Sequence, residues 1–573
     1  MFKSGAVRSN KRIKLSAKPF VHSFSILLCV TLLCACSAEL ASPNLQPEPS
    51  LNPTEAPLPS PTTTSAPTAT ATPEPIYLQL DADIPADFSR SLNLEGTDFQ
   101  VVDSGKNAAV LDFGPGNPVS FWVYALAAPF PTITDTIPTK TFLDFWKRAG
   151  AAPFSRLIMD AGTLKALQSR WGVPAGNVEV LDAESLMLEA WTHADTWAVI
   201  PFEEIQPRWK VIALERQSPL HKDFALQSYP LSIPISLTAS VGFQSRDLAE
   251  RLKPYLAQSN RDPEKLVTVI LTGVTAMVRG TASEMEEKGI TRGAEVILPV
   301  TQAADILHIS NEVPFAVDCK DPVPKLSGKL SFCSKDSYIK LLEAVGTDVV
   351  ELTGDHFQDW GEAALEHTLE LYKQEGWLYY GGGLNIEEAK KPLKLEIKGT
   401  KIAFLGCNAK PTVYGNATEE KGGNFRCDWD YMTAQVKSLR AEGYLPIVTF
   451  QHLEFYQWTA QSQLVADFHK MAEAGAVVVS GSQSHQPHGI EITDGAVLHY
   501  GLGNLFFDQY GLATFTNYGF LDRHVFYDGK YLGVELLPIQ FKDYSQPVWP
   551  EEPTRAWLME ILFQVSEWNY PPK

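Results

Sequence analysis

Val349-Val350-Glu351-Leu352-Thr353-Gly354 is a largely apolar, β-branched run that breaks off at Asp355-His356-Phe357-Gln358-Asp359-Trp360-Gly361. Branched side chains favour extended backbone, and a run this short between polar flanks reads as a buried strand. A carboxylate and an imidazole directly beyond it are groups that hold metals or move protons. Four further runs end in the same way: Val267–Gly273 before Val274-Thr275, Ile306–Ser310 before Asn311-Glu312, Ile447–Gln451 before His452-Leu453-Glu454, and Val477–Gly481 before Ser482-Gln483-Ser484-His485. In open α/β sheets ligands sit outside the carboxyl ends of the strands, so this repeated pattern predicts one site built from distant segments.

The surrounding pattern fits an α/β domain over residues 266–542. Helices are expected at Lys335–Ala344 and Gly361–Glu375, the second leading into a strand at Trp377–Tyr380. Hairpins are expected where Leu393–Ile397 and Ile402–Leu405 flank Lys398-Gly399-Thr400, and where Gly489–Ile492 and Val497–Tyr500 flank Asp494-Gly495. Parallel and antiparallel strands should therefore share the sheets. Residues 543–573 follow as a C-terminal extension.

Upstream, 573 residues are too many for one core. Residues 76–244 read as a smaller α/β domain, with strands such as Val119–Leu126 and Trp197–Pro201 and helices such as Thr141–Arg148 and Thr163–Trp171. Residues 245–265 read as a polar helix and connector. Residues 36–75, rich in Pro, Thr, Ser and Ala, cannot bury enough surface to offset chain entropy and read as a disordered tether.

Residues 1–35 carry a basic head (Lys3, Arg8, Lys11, Arg12, Lys14, Lys18) and an apolar stretch, Phe24–Leu33, too short to span a bilayer. Leu33-Cys34-Ala35-Cys36 then resembles a bacterial lipoprotein box, which would make Cys36 the lipidated first residue of an exported, membrane-anchored protein; an ordinary signal peptide is the alternative. The formal net charge of −19 argues against nucleic acid as a partner. Beyond the leader remain Cys319, Cys333, Cys407 and Cys427, which allow three disulfide pairings. An oxidising compartment favours the local pairs Cys319–Cys333 and Cys407–Cys427, each closing a loop rich in Lys, Gly and Pro. A zinc site is the competing reading, but no CxxC spacing is present.

Two resemblances add to these readings. Tyr124–Asp135, Trp197–Phe202 and Tyr229-Pro230-Leu231 resemble pieces of a type II periplasmic solute-binding domain; a spacer domain without a ligand is the alternative. More specifically, seven motifs in one order resemble the CapA capsule-synthesis family: Ser310-Asn311-Glu312, Thr353–Gly361, Tyr380–Gly383 with Glu388-Ala389, Gln451–Glu454, Glu473–Ala476, Gly481–His485 with Gly489–Glu491, and Tyr500–Asn504 with Phe507-Asp508.

That resemblance implies a four-layer α/β/β/α sandwich of the calcineurin-type metallophosphoesterase kind, with strand-end side chains holding one or two divalent ions such as Mn, Mg, Fe or Zn. On the matched positions Asn311, Asp355, His452 and His485 would be ligands, with Gln483 standing where the family has a second imidazole. His356 and His452 would act in catalysis, His356 as general acid or base, while Glu454 orients His452 and Asn504 supports the site. Val274 stands where the family has Asp and cannot ligate, so one ion is expected rather than two, or none. The implied role is synthesis or export of a capsule-type polymer, poly-γ-glutamate by the family's name, through a metal-dependent hydrolase or transferase site. Capsule-synthesis membrane proteins would be partners. The alternative is a catalytically degenerate scaffold that captures an anionic polymer or a small solute at the cell surface.

Overall fold

The computed structural model describes residues 75–104, 108–148, 150–239, 244–325, 330–411, 414–509, 513–568 and 570. The expected leader, tether and lipidated Cys36 lie outside the described residues. No described helix is long and apolar enough to cross a membrane.

Two sheets build the C-terminal part. In the first, Leu378–Tyr380, Val349–Glu351, Ile306–Asn311 and Leu266–Thr272 run parallel, and Tyr518–Tyr527, Lys530–Lys542 and Gln546–Val548 continue it antiparallel. The two-residue strand Val274–Thr275 carries on from Leu266–Thr272 and lies between Ile306–Asn311 and Asn504–Phe506. The second sheet runs Leu393–Ile397, Thr400–Asn408, Leu445–Gln451, Val478–Gly481, Ala496–His499, Ile490–Thr493, with parallel strands in the middle and a hairpin at each edge. Both expected hairpins form; in the first, Lys398 and Gly399 take the left-handed backbone that a tight two-residue turn requires.

Successive strand residues face opposite ways, and the core sorts them accordingly. Val267, Val269, Leu271, Ile306 and Val349 of the first sheet meet Ile402, Phe404, Leu445, Ile447 and Val478 of the second in one buried layer. Ile270, Leu307, Ile309 and Val350 point outward onto Leu341, Leu342, Leu365, Leu369 and Tyr372. These come from the helices Ile339–Val345 and Glu362–Glu375. Ala403, Leu405, Val448, Phe450 and Val479 pack outward on Met432, Val436, Leu439, Leu464, Phe468 and Met471. Those belong to the helices Trp429–Ala441 and Ser462–Ala474. The layer order is helix, sheet, sheet, helix, the α/β/β/α sandwich expected. Residues beyond 542 join it: Gln546–Val548 forms the sheet edge and the helix Glu552–Val565 buries Met559 and Leu562 in the inter-sheet layer.

Residues 76–238 form a separate ten-stranded mixed sheet around the long strand Asn117–Pro129. The helix Ala161–Trp171 begins at Asp160, whose carboxylate accepts from the Thr163 amide. The polar stretch after residue 244 holds one helix, Ser245–Leu252. Leu266, Val525 and Leu532 of the sandwich pack into this lobe's core, so the seam between the two is buried.

Both local disulfides form, Cys319–Cys333 and Cys407–Cys427, with Cα–Cα distances of 5.8 and 4.9 Å. The second joins the end of Thr400–Asn408 to the chain just before the helix Trp429–Ala441.

Candidate metal centre

Which side chain enters the space between the sheet ends is set by strand parity. On Ile306–Asn311 the odd positions 307 and 309 face the helices and the even position 306 faces the second sheet. Asn311 therefore points outward, and its amide donates to the Val313 carbonyl at 2.8 Å and the Tyr372 hydroxyl at 2.6 Å. Glu312, one residue on, points inward and accepts from Gln451 Nε2 at 3.2 Å. The same rule acts on Leu445–Gln451. Gln451 faces inward, while His452 faces the helix Ser462–Ala474 and pairs with Asp467 at 3.1 Å. Asp355 has inward parity and enters the site.

Glu312, Asp355 and His356 form the cluster: one donor atom from each lies within 4.8 Å of the others. Gly354 permits this approach, because a Cβ there would stand 2.7 Å from the Glu312 Cα. Gln451 spans the strand ends, its Oε1 accepting from the Asp355 amide and from Asn408 Nδ2. His356 gives Nδ1 to Asp359 at 2.6 Å, which leaves Nε2 free, the arrangement seen when a carboxylate orients a ligating imidazole. Beside it a cleft of about 490 Å³ is lined by Ala316, Asp318, Ser331, Asp359 and Trp360 among others.

The charges are mutually dependent. Burial, with Asp355 close by, pushes Glu312 up to about 8, so it is the protonated member of the carboxyl pair. Burial also acts to raise Asp355, yet Lys410 and His356 hold it below the usual carboxylate range. His356 is raised to about 9: burial opposes its charge, and Asp359, Glu312 and Asp355 outweigh burial.

The other half of the site is held by Lys410. Its ammonium lies 2.6 Å from Asp355 Oδ2 and 3.7 Å from Glu454 Oε1. Glu454 accepts from Gln483 Nε2 at 3.3 Å and stands 3.9 Å from His485 Nε2. His485 has a left-handed backbone, uncommon for a residue other than glycine, and Asn504 fixes it from both sides: Asn504 Oδ1 pairs with Nδ1 at 2.9 Å and Nδ2 donates to the His485 carbonyl. Phe507 packs on His485 and Phe332 on His356, and the Arg279 guanidinium lies over both phenyl rings.

Of the residues singled out from sequence, the structure thus brings together Asp355, His356, Glu454, Gln483, His485 and Asn504. It leaves out Asn311 and His452, each turned to a helix by the parity of its strand. Among the described residues no hydrogen bond or ion pair joins His452 to Asp355, Glu454 or His485, and Asp467, not Glu454, orients its ring. Glu312, Gln451 and Lys410 belong to the site although sequence reasoning missed them. The first two adjoin the residues expected, and Lys410 follows the strand Thr400–Asn408 by two residues. Val274 is fully buried in an apolar patch with Ala276, Val278, Val313, Phe332 and Phe507.

The donor set fits one divalent ion. Glu312 Oε2 and Asp355 Oδ1 are buried and face one another with no partner outside the carboxyl pair, and among the described residues no hydrogen bond engages His356 Nε2. Two hard oxygens and one imidazole suit Mn, Mg, Fe or Zn.

The architecture is a two-sheet α/β/β/α sandwich with carboxylates and imidazoles gathered at its strand ends. Residues 268–509 match the family model for the bacterial capsule synthesis protein PGA_cap. The chain is 22% identical over 264 residues to the capsule biosynthesis protein CapA of Bacillus anthracis, covering 45% of this chain and 64% of that protein. It is 21% identical over 284 residues to the PGA biosynthesis protein CapA of Bacillus subtilis (strain 168), covering 49% and 72%. Solved structures with a likeness include the NAD nucleotidase of Haemophilus influenzae, with TM-score 0.30, 12% identity and coverage of 53% and 57%. Another is a 5'-nucleotidase precursor of Thermus thermophilus, with TM-score 0.30, 14% identity and coverage of 51% and 58%.

Proposed function

We propose that this chain is an exported, lipid-anchored capsule-synthesis protein that acts on an anionic polymer, poly-γ-glutamate by the family's name, at a site holding one divalent ion. The observation that carries the reading is the cluster of Glu312, Asp355 and His356 at the strand ends of the family-matched domain, with two carboxyl oxygens that have no partner outside the pair. Glu312, Asp355 and His356 Nε2 would hold the ion. The ion would supply Lewis-acid polarisation of a carbonyl or phosphoryl oxygen and an activated water. Asp359 fixes the His356 ring, and Gln451 holds Glu312 and the Asp355 backbone in register.

A second reading, capture of the polymer without reaction, is favoured by Val274, since the buried apolar patch withholds a carboxylate that a two-ion site uses. Gene replacement in the native host separates the two. Glu312→Gln and Asp355→Asn should abolish divalent-metal binding and surface polymer together; full polymer from a metal-free variant would refute the catalytic reading and leave the capture reading. Mass spectrometry of the mature N-terminus tests the anchor, an acyl chain on Cys36 being the expected result.

A further inference from the structure

We propose that Lys410 is a built-in cation that takes the place of a second divalent ion between Asp355 and Glu454. The proposal deepens the one-ion reading above. The lysine is positioned by its backbone as well as its charge: its amide donates to Asn408 Oδ1 at 2.9 Å, and Asn408 is itself tied to the Thr353 carbonyl and to Gln451. The Cys407–Cys427 disulfide braces the strand end next to it. From there the side chain, 13% exposed, reaches Asp355 at 2.6 Å and Glu454 at 3.7 Å.

The ammonium stands between the carboxylates of Asp355 and Glu454, where a second ion would take its oxygens. Behind Glu454, His485 Nε2 lies 3.9 Å from its Oε1, and the buried Gln483 side-chain oxygen lacks a hydrogen-bond partner. A divalent ion bound to those carboxylate oxygens at about 2 Å would be driven into the ammonium, two like charges in a space with little water to screen them. Occupation by one excludes the other. The loss of a ligating group at Val274 and the presence of Lys410 are then two parts of one change, from a two-ion centre to an ion-and-lysine centre.

The test is metal stoichiometry by titration calorimetry with Mn2+ and by elemental analysis, on the whole protein and its Lys410→Met, Lys410→Arg and Lys410→Met/Glu454→Gln forms. Lys410→Met should bind one ion more than the wild type, Lys410→Arg should gain none, and the double variant should lose the gained ion. Equal stoichiometry and affinity in Lys410→Met and wild type would overturn the proposal. Electron paramagnetic resonance of the Mn2+-saturated wild type gives a check that needs no variant: an exchange-coupled pair would overturn it, an isolated six-line signal supports it. The wild type's own binding, and its loss in Glu312→Gln, reports separately on the one-ion reading, so a wild type that binds no Mn2+ defeats that reading while the comparison with Lys410→Met still decides this one.

Discussion

Glu312→Gln isolates the most strongly perturbed group in the site. Glutamine has the same shape, can accept from Gln451 as Glu312 does, and can donate toward Asp355 as the protonated carboxyl does, but it cannot ionise. In the unfolded chain Glu312 loses its proton near the ordinary value of 4.5, whereas burial beside Asp355 keeps it protonated in the fold up to about 8. Between those values the native state binds more protons than the unfolded state, so wild-type stability is fully present below pH 4.5 and declines as pH rises through 8. The slope contributed by this one group is about 1.4 kcal/mol per pH unit, and the ceiling over the window is roughly 5 kcal/mol. Chemical denaturation of both proteins with a chelator present, at steps from about pH 4.5 to 8.5, should show similar stabilities at the acid end. The variant should pull ahead as pH rises. Parallel stability curves across the window would refute the reasoning, since they would mean that Glu312 titrates alike in folded and unfolded chains.

Cys407→Ser should lower stability by about 2–4 kcal/mol, read as a shift in the denaturation midpoint that is absent when both proteins are reduced. His452→Ala should leave Mn2+ affinity within about twofold, because the ring serves Asp467; a loss of more than about tenfold would place it at the metal after all. Its stability should fall by about 1–3 kcal/mol, since Asp467 loses a buried partner. Val274→Asp should destabilise the chelated protein by several kcal/mol, an unpaired carboxylate among apolar side chains, and Mn2+ should stabilise the variant by more than it stabilises the wild type; an equal gain in both would show that position 274 does not face the ion.

The strands and their polar ends are legible in the sequence because a strand buried on both faces reads as a continuous apolar run, and the site lies where such runs stop. That same continuity hides which face is which. Ile306–Ser310 and Ile447–Gln451 carry apolar or neutral side chains on both faces, so nothing local says whether Asn311 or Glu312, Gln451 or His452, turns inward. A one-residue step exchanges the two faces, and in both strands the expected ligand is the neighbour of the residue that turns inward. At Asp355 the strand ends on inward parity, and expectation and structure agree. Lys410 is invisible in the sequence for another reason: it lies beyond a strand whose end, Asn408-Ala409-Lys410, shows no pattern of its own, and its partners are 55 and 44 residues away in the chain.

On the proposed reading, in which an acidic chain acts on an anionic polymer, the ion-and-lysine centre also bears on how the two are held together. With a formal net charge of −19, long-range attraction is absent, and screening confines any attraction to within about 8 Å at physiological salt. Attraction must therefore come from cations fixed at the site itself. Lys410 supplies one, and Arg279 a second, held over Phe332 and Phe507, the two rings that also pack on His356 and His485. Asp508 lies 3.5 Å from Arg279 Nε and takes up part of its charge. A lysine cannot be lost to a chelator as a metal ion can. On the proposed reading, then, replacing one ion by Lys410 keeps part of the positive charge in place whether or not the remaining ion is bound, which separates holding an anionic chain from reacting it. Chelation should on that basis abolish turnover while weakening polymer retention only in part, and chelated Lys410→Met, which lacks both the ion and the ammonium, should retain the polymer less than chelated wild type.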